Sequence, residues 1–516
     1  MFSFIIGVVA LIVGYLIYGK LAEKIFAIKP ELQTPAIRMA DGVDFVAMPT
    51  WKTTLIQLLN IAGTGPIFGA IAGALFGPAA FIWIVCGCIF AGAVHDYMVG
   101  MLSVRNNGGN ISEIVGKYLG QGPRYFMRIF SIILLIFVGV VFVTTPAQVL
   151  KELYDHASQL TAGDTLTAVA GNQGSMNFYY ITIAIIIAYY ILATMLPIDK
   201  LIGRIYPIFG ACLLIMAIGI SVMMFITGDI AKIPEFAFQN MRPDKTTNIM
   251  GHLFPFLFIT IACGAISGFH ATQAPLMARC IRNEKEGRTV FYGSMILEGI
   301  IAMIWAAVTM AYGENGVEAV VGIKTAVAAP VIVTRSSIGY MGLLGGALAI
   351  FGVVACPITS GDTAFRSARL TIADIFKYDQ KPIKNRLLLA LPLFAVGVVL
   401  VLFSISSTQN FNIIWRYFAW SNQTLATIGL WAASAYLAKA AKQYLITLVP
   451  AAFMTVVVIS YFFTAKECLG PMITGITGSA ETTYIIGIIT GVAASIILLA
   501  LFITQIGIKQ KGLLKD

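Results

Sequence analysis

Apolar stretches of about 20 residues recur from one end of the chain to the other, and no block between them reads as a water-soluble core. Each stretch is long enough to cross a hydrocarbon layer of about 30 Å as a helix. The other spanning architecture, a closed β-barrel, alternates apolar and polar residues at every second position. Ile181-Thr182-Ile183-Ala184-Ile185-Ile186-Ile187-Ala188 shows no such alternation, so the pattern predicts an all-α polytopic membrane protein. Spans are predicted over 2–18, 53–75, 79–103, 125–147, 178–196, 205–226, 252–278, 290–312, 340–361, 387–405, 413–436, 444–464 and 484–505, about thirteen helices.

Two of these spans are interrupted alike. The second reads Asn60-Ile61-Ala62-Gly63-Thr64-Gly65-Pro66, and the seventh Ile261-Ala262-Cys263-Gly264-Ala265-Ile266-Ser267-Gly268. Pro66 removes a backbone donor and the glycines lower the cost of unwinding. An unwound turn inside a bilayer leaves peptide groups that need polar partners, and in transporters these are often substrate or ion. The two breaks lie five spans apart, so the two helices cross in opposite directions. The pattern predicts two inverted five-helix units over 53–226 and 252–436. Residues 1–52 would then add one helix and a cytoplasmic loop, and 444–516 two helices and a tail. The alternative is a pair of Gly-rich packing helices.

Composition agrees: 58% of the residues are hydrophobic and 11% charged, against roughly 25% charged in soluble domains. The net charge of +10 raises the question of nucleic acid, but the distribution of the basic residues answers it. With the N-terminus outside, most of the 34 Lys and Arg fall in alternate, cytoplasmic segments, as the positive-inside rule requires. The outer segments hold only Lys151, Lys232, Arg242, Lys245, Lys324, Arg335 and Lys466. The charge therefore reports topology, with the C-terminus inside, and no nucleic-acid partner is expected. The first span carries Lys20 and Lys24 after it rather than before it, the reverse of a cleaved signal, and reads as retained. The seven cysteines contain no CxxC pair and read as small apolar side chains.

Several stretches resemble the carbon starvation A family of bacterial membrane transporters: Asn60 to Ala70, Gly92-Ala93-Val94-His95-Asp96-Tyr97, Ser267 to Gln273, Thr359-Ser360-Gly361-Asp362-Thr363-Ala364 and Trp420-Ser421-Asn422-Gln423. The likeness runs from the N-terminus to about residue 440. It implies a five-plus-five inverted-repeat (LeuT-like) core and a place in the bacterial cytoplasmic membrane. It also implies uptake of peptides or pyruvate during nutrient limitation. In that superfamily a sodium site lies between the first broken helix and the third helix of the second unit. The resemblance thus allows a sodium ion held by Ile61, Thr64, Thr359 and Ser360, with a proton as the other coupling ion.

Polar residues at bilayer depth are functional candidates. Glu298 is expected about 12 Å deep, either as a proton carrier or as a structural hydrogen-bonding group. His95 and Asp96 are placed near the cytoplasmic end of their span as a gate or helix cap. As adjacent helical positions they are not expected to face each other. Thr359, Ser360, Asp362 and Thr363 are expected to end the ninth span, as ion ligands or as a helix C-terminus. Arg416, Trp420, Gln423 and Thr427 form one polar stripe facing the bundle, where Arg416 can hold a substrate carboxylate or snorkel. The half-helices after Gly65 and Gly268 direct partially positive N-termini into the gap, which favours a carboxylate. Gly63, Gly65, Gly264 and Gly268 are expected to line that pocket with main chain. Asn60, Thr64, Ser267, His270 and Gln273 would line it with side chains.

No GxxxxGK[ST] loop or HExxH pair is present, so neither ATP hydrolysis nor an enzyme is indicated, and no cofactor is expected. The reading is an ion-driven secondary transporter of small molecules. A channel or a membrane-embedded enzyme is the alternative. The topology is checked by impermeant thiol labelling in a cysteine-free background. A cysteine placed near Lys245 should react from outside, and one near Lys381 should not. The opposite pattern would invert the map.

Overall fold

The computed structural model describes residues 1–42, 45–161, 173–195, 198–235, 252–311, 328–378 and 382–508. Among them the regular structure is helical, with no strand. The principal helices are α1 (Phe2–Phe26), α2 (Thr50–Ile61), α3 (Thr64–Gly73), α4 (Ala79–Arg105), α5 (Ile111–Leu119), α6 (Gln121–Thr161), α7 (Gln173–Met195) and α8 (Ile198–Ile226). There follow α9 (Phe256–Thr260), α10 (Gly268–Ala278), α11 (Ser294–Ala311), α12 (Ala328–Leu348), α13 (Ala355–Phe376), α14 (Ile383–Ile405), α15 (Thr408–Lys439), α16 (Leu445–Thr464), α17 (Gly470–Thr477) and α18 (Ala480–Phe502).

Ten helices among the described residues are long and apolar enough to cross a membrane, and eleven if α2 and α3 count as one span bent by 52°. Two other predicted spans fall short for physical reasons. The seventh is split between α9 and α10, each too short alone. The eleventh, α15, runs 32 residues but carries Asn, Gln, Ser, Thr and Arg along its length. Apolar side chains such as Ile17 and Ile489 stand exposed on the outside of the bundle, 67% and 63% accessible, as a lipid-facing surface requires. Lys245 and Lys381 lie outside the described residues.

The ninth span departs from expectation. Gly342 takes φ 59° and ψ −143° and bends α12 there. Beyond a π turn at Ala349–Val354 the helix continues as α13 to Phe376. Thr359, Ser360, Asp362 and Thr363 therefore sit inside a helix, not at its end. Arg366 and Arg369, which make this stretch read as a loop, are buried against other helices.

α6 runs through Pro146, whose missing N–H strands the carbonyl of Phe142 one turn earlier. The Tyr190 hydroxyl on α7 donates to that carbonyl at 3.0 Å. α5, absent from the span map, joins α6 through Glu113, which pairs with Arg124 and with Arg128. Partial burial works against the ionised Glu113, but the two guanidinium groups hold its carboxyl below the usual range. π turns also precede the polar parts of two other helices, at Cys88–Gly92 inside α4 and at Arg288–Gly293 before α11. Such turns shift the register of the side chains that follow them, and they concentrate at functional sites.

Candidate functional site

Both predicted breaks are present. In the first, Gly63 N–H bonds to Ile61 O at 2.9 Å, so the Leu59 carbonyl loses its helical donor. Pro66 cannot donate back to Ala62. α13 supplies what is missing: Ser360 Oγ donates to Leu59 O at 2.8 Å, and the Cys356 thiol to Ala62 O at 3.0 Å. In the second break, Trp83 Nε1 donates to Ile261 O at 3.2 Å and Gln423 Nε2 to Phe258 O at 3.1 Å. Asn422 Oδ1 accepts from Phe269 N–H at 2.6 Å and from Ser267 Oγ at 3.1 Å.

Asn422 thereby occupies the positive end of α10, where the sequence reading set a substrate carboxylate. The glycines are contact points between helices rather than pocket walls. A Cβ on Gly268 would lie 2.4 Å from the Asn422 carbonyl oxygen, one on Gly65 2.2 Å from Cys263 Sγ, and one on Gly264 2.4 Å from Ala302 Cβ. Gly63 packs on the Phe142 ring, 2.6 Å from Cζ by the same measure. Other polar atoms near the breaks have no hydrogen-bond partner among the described residues: Gln57 Nε2 and Oε1, Asn60 Oδ1, Thr64 Oγ1 and Gln273 Oε1 are all buried.

Beside the second break lies a line of four buried ionisable side chains. Asp96 Oδ1 is 2.8 Å from His95 Nδ1, and Asp96 Oδ2 is 2.7 Å from His270 Nδ1. His270 Nε2 is 3.3 Å from Glu298 Oε2. All four residues are at most 2% exposed. An ionised carboxylate only accepts, so Asp96 orients both rings with Nδ1–H toward itself. That leaves Nε2 of His270 3.3 Å from Glu298 Oε2, within ion-pair distance but without hydrogen-bond geometry, so His270 Nε2 and both Glu298 oxygens are buried with no hydrogen-bond partner among the described residues. His95 Nε2 lies against α15, 2.7 Å from where a Cβ on Gly429 would stand, and glycine there makes room for the ring.

The chain matches the family model described as Carbon starvation protein CstA over residues 1–170, 156–336 and 312–461. It belongs to the CstA family. An uncharacterized membrane protein of Haemophilus influenzae is 47% identical over 341 residues, covering 61% of this chain and 92% of that one. The peptide transporter CstA of Campylobacter jejuni is 28% identical over 545 residues, covering 86% of this chain and 77% of that one. The pyruvate/proton symporter BtsT of Escherichia coli is 28% identical over 339 residues, covering 57% and 46%. Among solved structures, MhsT in complex with L-phenylalanine superposes with a TM-score of 0.54 at 12% identity, covering 85% of this chain and 99% of that one. A manganese transporter of Eremococcus coleocola gives 0.54 at 11%, covering 90% and 99%. The fold of this CstA-family chain is thus that of LeuT-like secondary transporters.

Several residues singled out from the sequence serve elsewhere. His95 and Asp96 do face each other and are joined to His270, so they form part of a buried line rather than a cap at a helix end. Adjacent helical positions diverge, but a ring nitrogen and a carboxylate are long enough to close the gap. Arg416 pairs with Glu467 at 3.4 Å. Trp420 donates to Val458 O at 3.0 Å and stacks on Phe462. Gln423 Nε2 meets Phe258 O, so these side chains bond to α9, α16 and Glu467, while Gln423 Oε1 is buried without a hydrogen-bond partner among the described residues. Asp362 turns to Arg366 at 3.5 Å, and Arg366 also donates to Ala193 O. Thr363 bonds back to Ser360 O within its own helix.

Of the four residues read as sodium ligands, Thr64 has a buried Oγ1 without a hydrogen-bond partner among the described residues, while Thr359 and Ser360 donate their hydroxyl protons to main chain. Thr359 Oγ1 donates to Cys356 O and Ser360 Oγ to Leu59 O, and the group on Ala62 O is the Cys356 thiol. Asn422 was missed as a site residue. It lies in the Trp-Ser-Asn-Gln motif, and its partner 153 residues away could not be inferred from spacing.

Because Gly268 meets main chain, Gly268→Val should fail to give monodisperse protein. Asn422→Ala, which strips the acceptor from Phe269 N–H, should lower stability by roughly 1–3 kcal/mol, read as a lower melting midpoint in detergent. Wild-type stability in both variants would show that the break faces open space.

Proposed function

We propose that this secondary transporter imports small carboxylate-bearing nutrients, peptides or pyruvate-like acids, across a bacterial cytoplasmic membrane, and that a proton drives it. In this reading thirteen helices span the membrane, with the N-terminus outside and the C-terminus inside. The units 53–226 and 252–436 rock about the two breaks. The observation that carries the proton is the buried line His95–Asp96–His270–Glu298, together with a relative named a pyruvate/proton symporter.

The mechanism follows from the placement of His270. It sits in the first turn of α10, directly after a break, while Glu298 sits on the continuous α11 and Asp96 on α4. A tilt of α10 parts His270 from one neighbour or the other. With a proton between His270 and Glu298, the line carries a single net negative charge and α10 stays docked. Without it, two carboxylates face two neutral rings in a medium of low dielectric, a net charge of two that is strongly unfavourable. Proton occupancy thus selects the position of α10. Asn60, Thr64 and Gln273, with their buried unpartnered atoms, are the side chains proposed to meet substrate at the breaks.

Reconstituted wild-type protein should accumulate substrate when the outside is made acidic, and should not when only a sodium gradient is imposed. Glu298→Gln should lose that accumulation while still exchanging labelled for unlabelled substrate down its gradient. Full acid-driven accumulation by the variant would remove the line from the mechanism.

A further inference from the structure

A cavity of about 220 Å³ lies where α6, α7, α14 and α15 end, on the side that the basic-residue map places outside. At about 30 Å³ per water it has room for an amino acid or a dipeptide. Its floor is Phe411, the first member of a run of ring contacts leading inward. Phe411 meets Trp415 at 6.3 Å, Trp415 meets Phe418 at 5.5 Å, Phe418 meets Phe142 at 6.4 Å and Phe142 meets Phe269 at 5.9 Å. Phe142 packs on Gly63 of the first break, and Phe269 precedes His270. A packed run of aromatic rings therefore separates the cavity from the breaks and the buried ionisable line.

The walls are rich in acceptors. Gln148 Oε1 is buried without a hydrogen-bond partner, as is Ser404 Oγ. Glu152 presents a carboxylate to the same space. The adjacent Lys151 also lines the cavity; it is held 2.6 Å from Asp155 one turn along α6 and acts on Glu152 through its charge without a hydrogen bond. Arg335 also acts on Glu152 through its charge. A carboxylate and an orphaned amide oxygen side by side call for a group with several donors and no acceptor. A primary ammonium is such a group.

We propose that this cavity is an outer capture site for the ammonium end of a zwitterionic substrate, an amino acid or short peptide, with Glu152 and Gln148 as its ligands. The inference rests on the transport reading only for the side of the membrane from which substrate arrives. It adds a selectivity step: a keto acid, lacking the ammonium, passes the vestibule without being held there. The aromatic run beyond it excludes water and separates this step from events at the breaks.

The test uses equilibrium binding to the purified full chain, with alanyl-alanine, N-acetyl-alanyl-alanine and pyruvate as probes. Alanyl-alanine should bind wild type, and Glu152→Gln should weaken it tenfold or more. Glu152→Asp should recover part of the loss, and pyruvate binding should not change between the three proteins. N-acetyl-alanyl-alanine should bind wild type no better than alanyl-alanine binds Glu152→Gln. Unchanged alanyl-alanine affinity in Glu152→Gln, an equal loss for pyruvate, or no binding of alanyl-alanine to wild type would each overturn the proposal. The measurement involves no gradient, so it stands or falls apart from the coupling assigned to Glu298.

Discussion

A peptide group opened in the middle of a bilayer has no water to turn to, and this constraint organises the structure. Two helices are broken there by Gly and Pro, and every break is paid back from a neighbour. Cys356 and Ser360 on α13 serve the first break, while Trp83 on α4 and Asn422 and Gln423 on α15 serve the second. The same logic extends to Tyr190 beneath Pro146 and to Tyr292, whose hydroxyl meets the Ile89 carbonyl inside a π turn. Each of these side chains pins its own helix to a strained point on another. The close contacts at Gly65, Gly264 and Gly268 follow, since only backbone without a Cβ can come near enough.

The second consequence is electrical. Placing two carboxylates and two imidazoles at nearly zero exposure is tolerable only when their protons balance. Removing one partner of a buried pair costs on the order of 3–5 kcal/mol. That is several times the worth of an exposed ion pair, and large enough to decide where a half-helix rests. Structure and chemistry meet at His270, which the break leaves at the start of a short helix and the sequence places between Asp96 and Glu298. At the first break the Leu59 and Ala62 carbonyls are met by a hydroxyl and a thiol. The first break is thus fixed by hydrogen bonds, and the variable charge lies at the second.

How much of this was legible in the sequence depends on whether a feature is local. The breaks announced themselves through Gly63, Gly65, Pro66, Gly264 and Gly268, and Glu298 and His270 stood out as polar groups in apolar surroundings. What failed was partnership at long range. Arg416 gave no sign that Glu467, 51 residues on, would pair with it. The run from Thr359 to Arg369 looked too polar for a span, although its arginines are buried in protein rather than lipid. Asn422 stood outside the polar stripe, noted only within the Trp-Ser-Asn-Gln motif, and it faces a different helix from Trp420. His95 and Asp96 were separated by an idealised helix, in which side-chain length was not considered.

The central claim is that a proton resides between His270 and Glu298 and moves with substrate. Proton exchange on binding tests it most directly, measured with a pH-indicating dye in weakly buffered solution as substrate is added to purified protein. Wild type should change its bound protons as it binds, in proportion to the sites filled. Glu298→Gln should bind the same substrate with no such change. An identical proton signal from both proteins would place the coupling proton elsewhere and contradict the account.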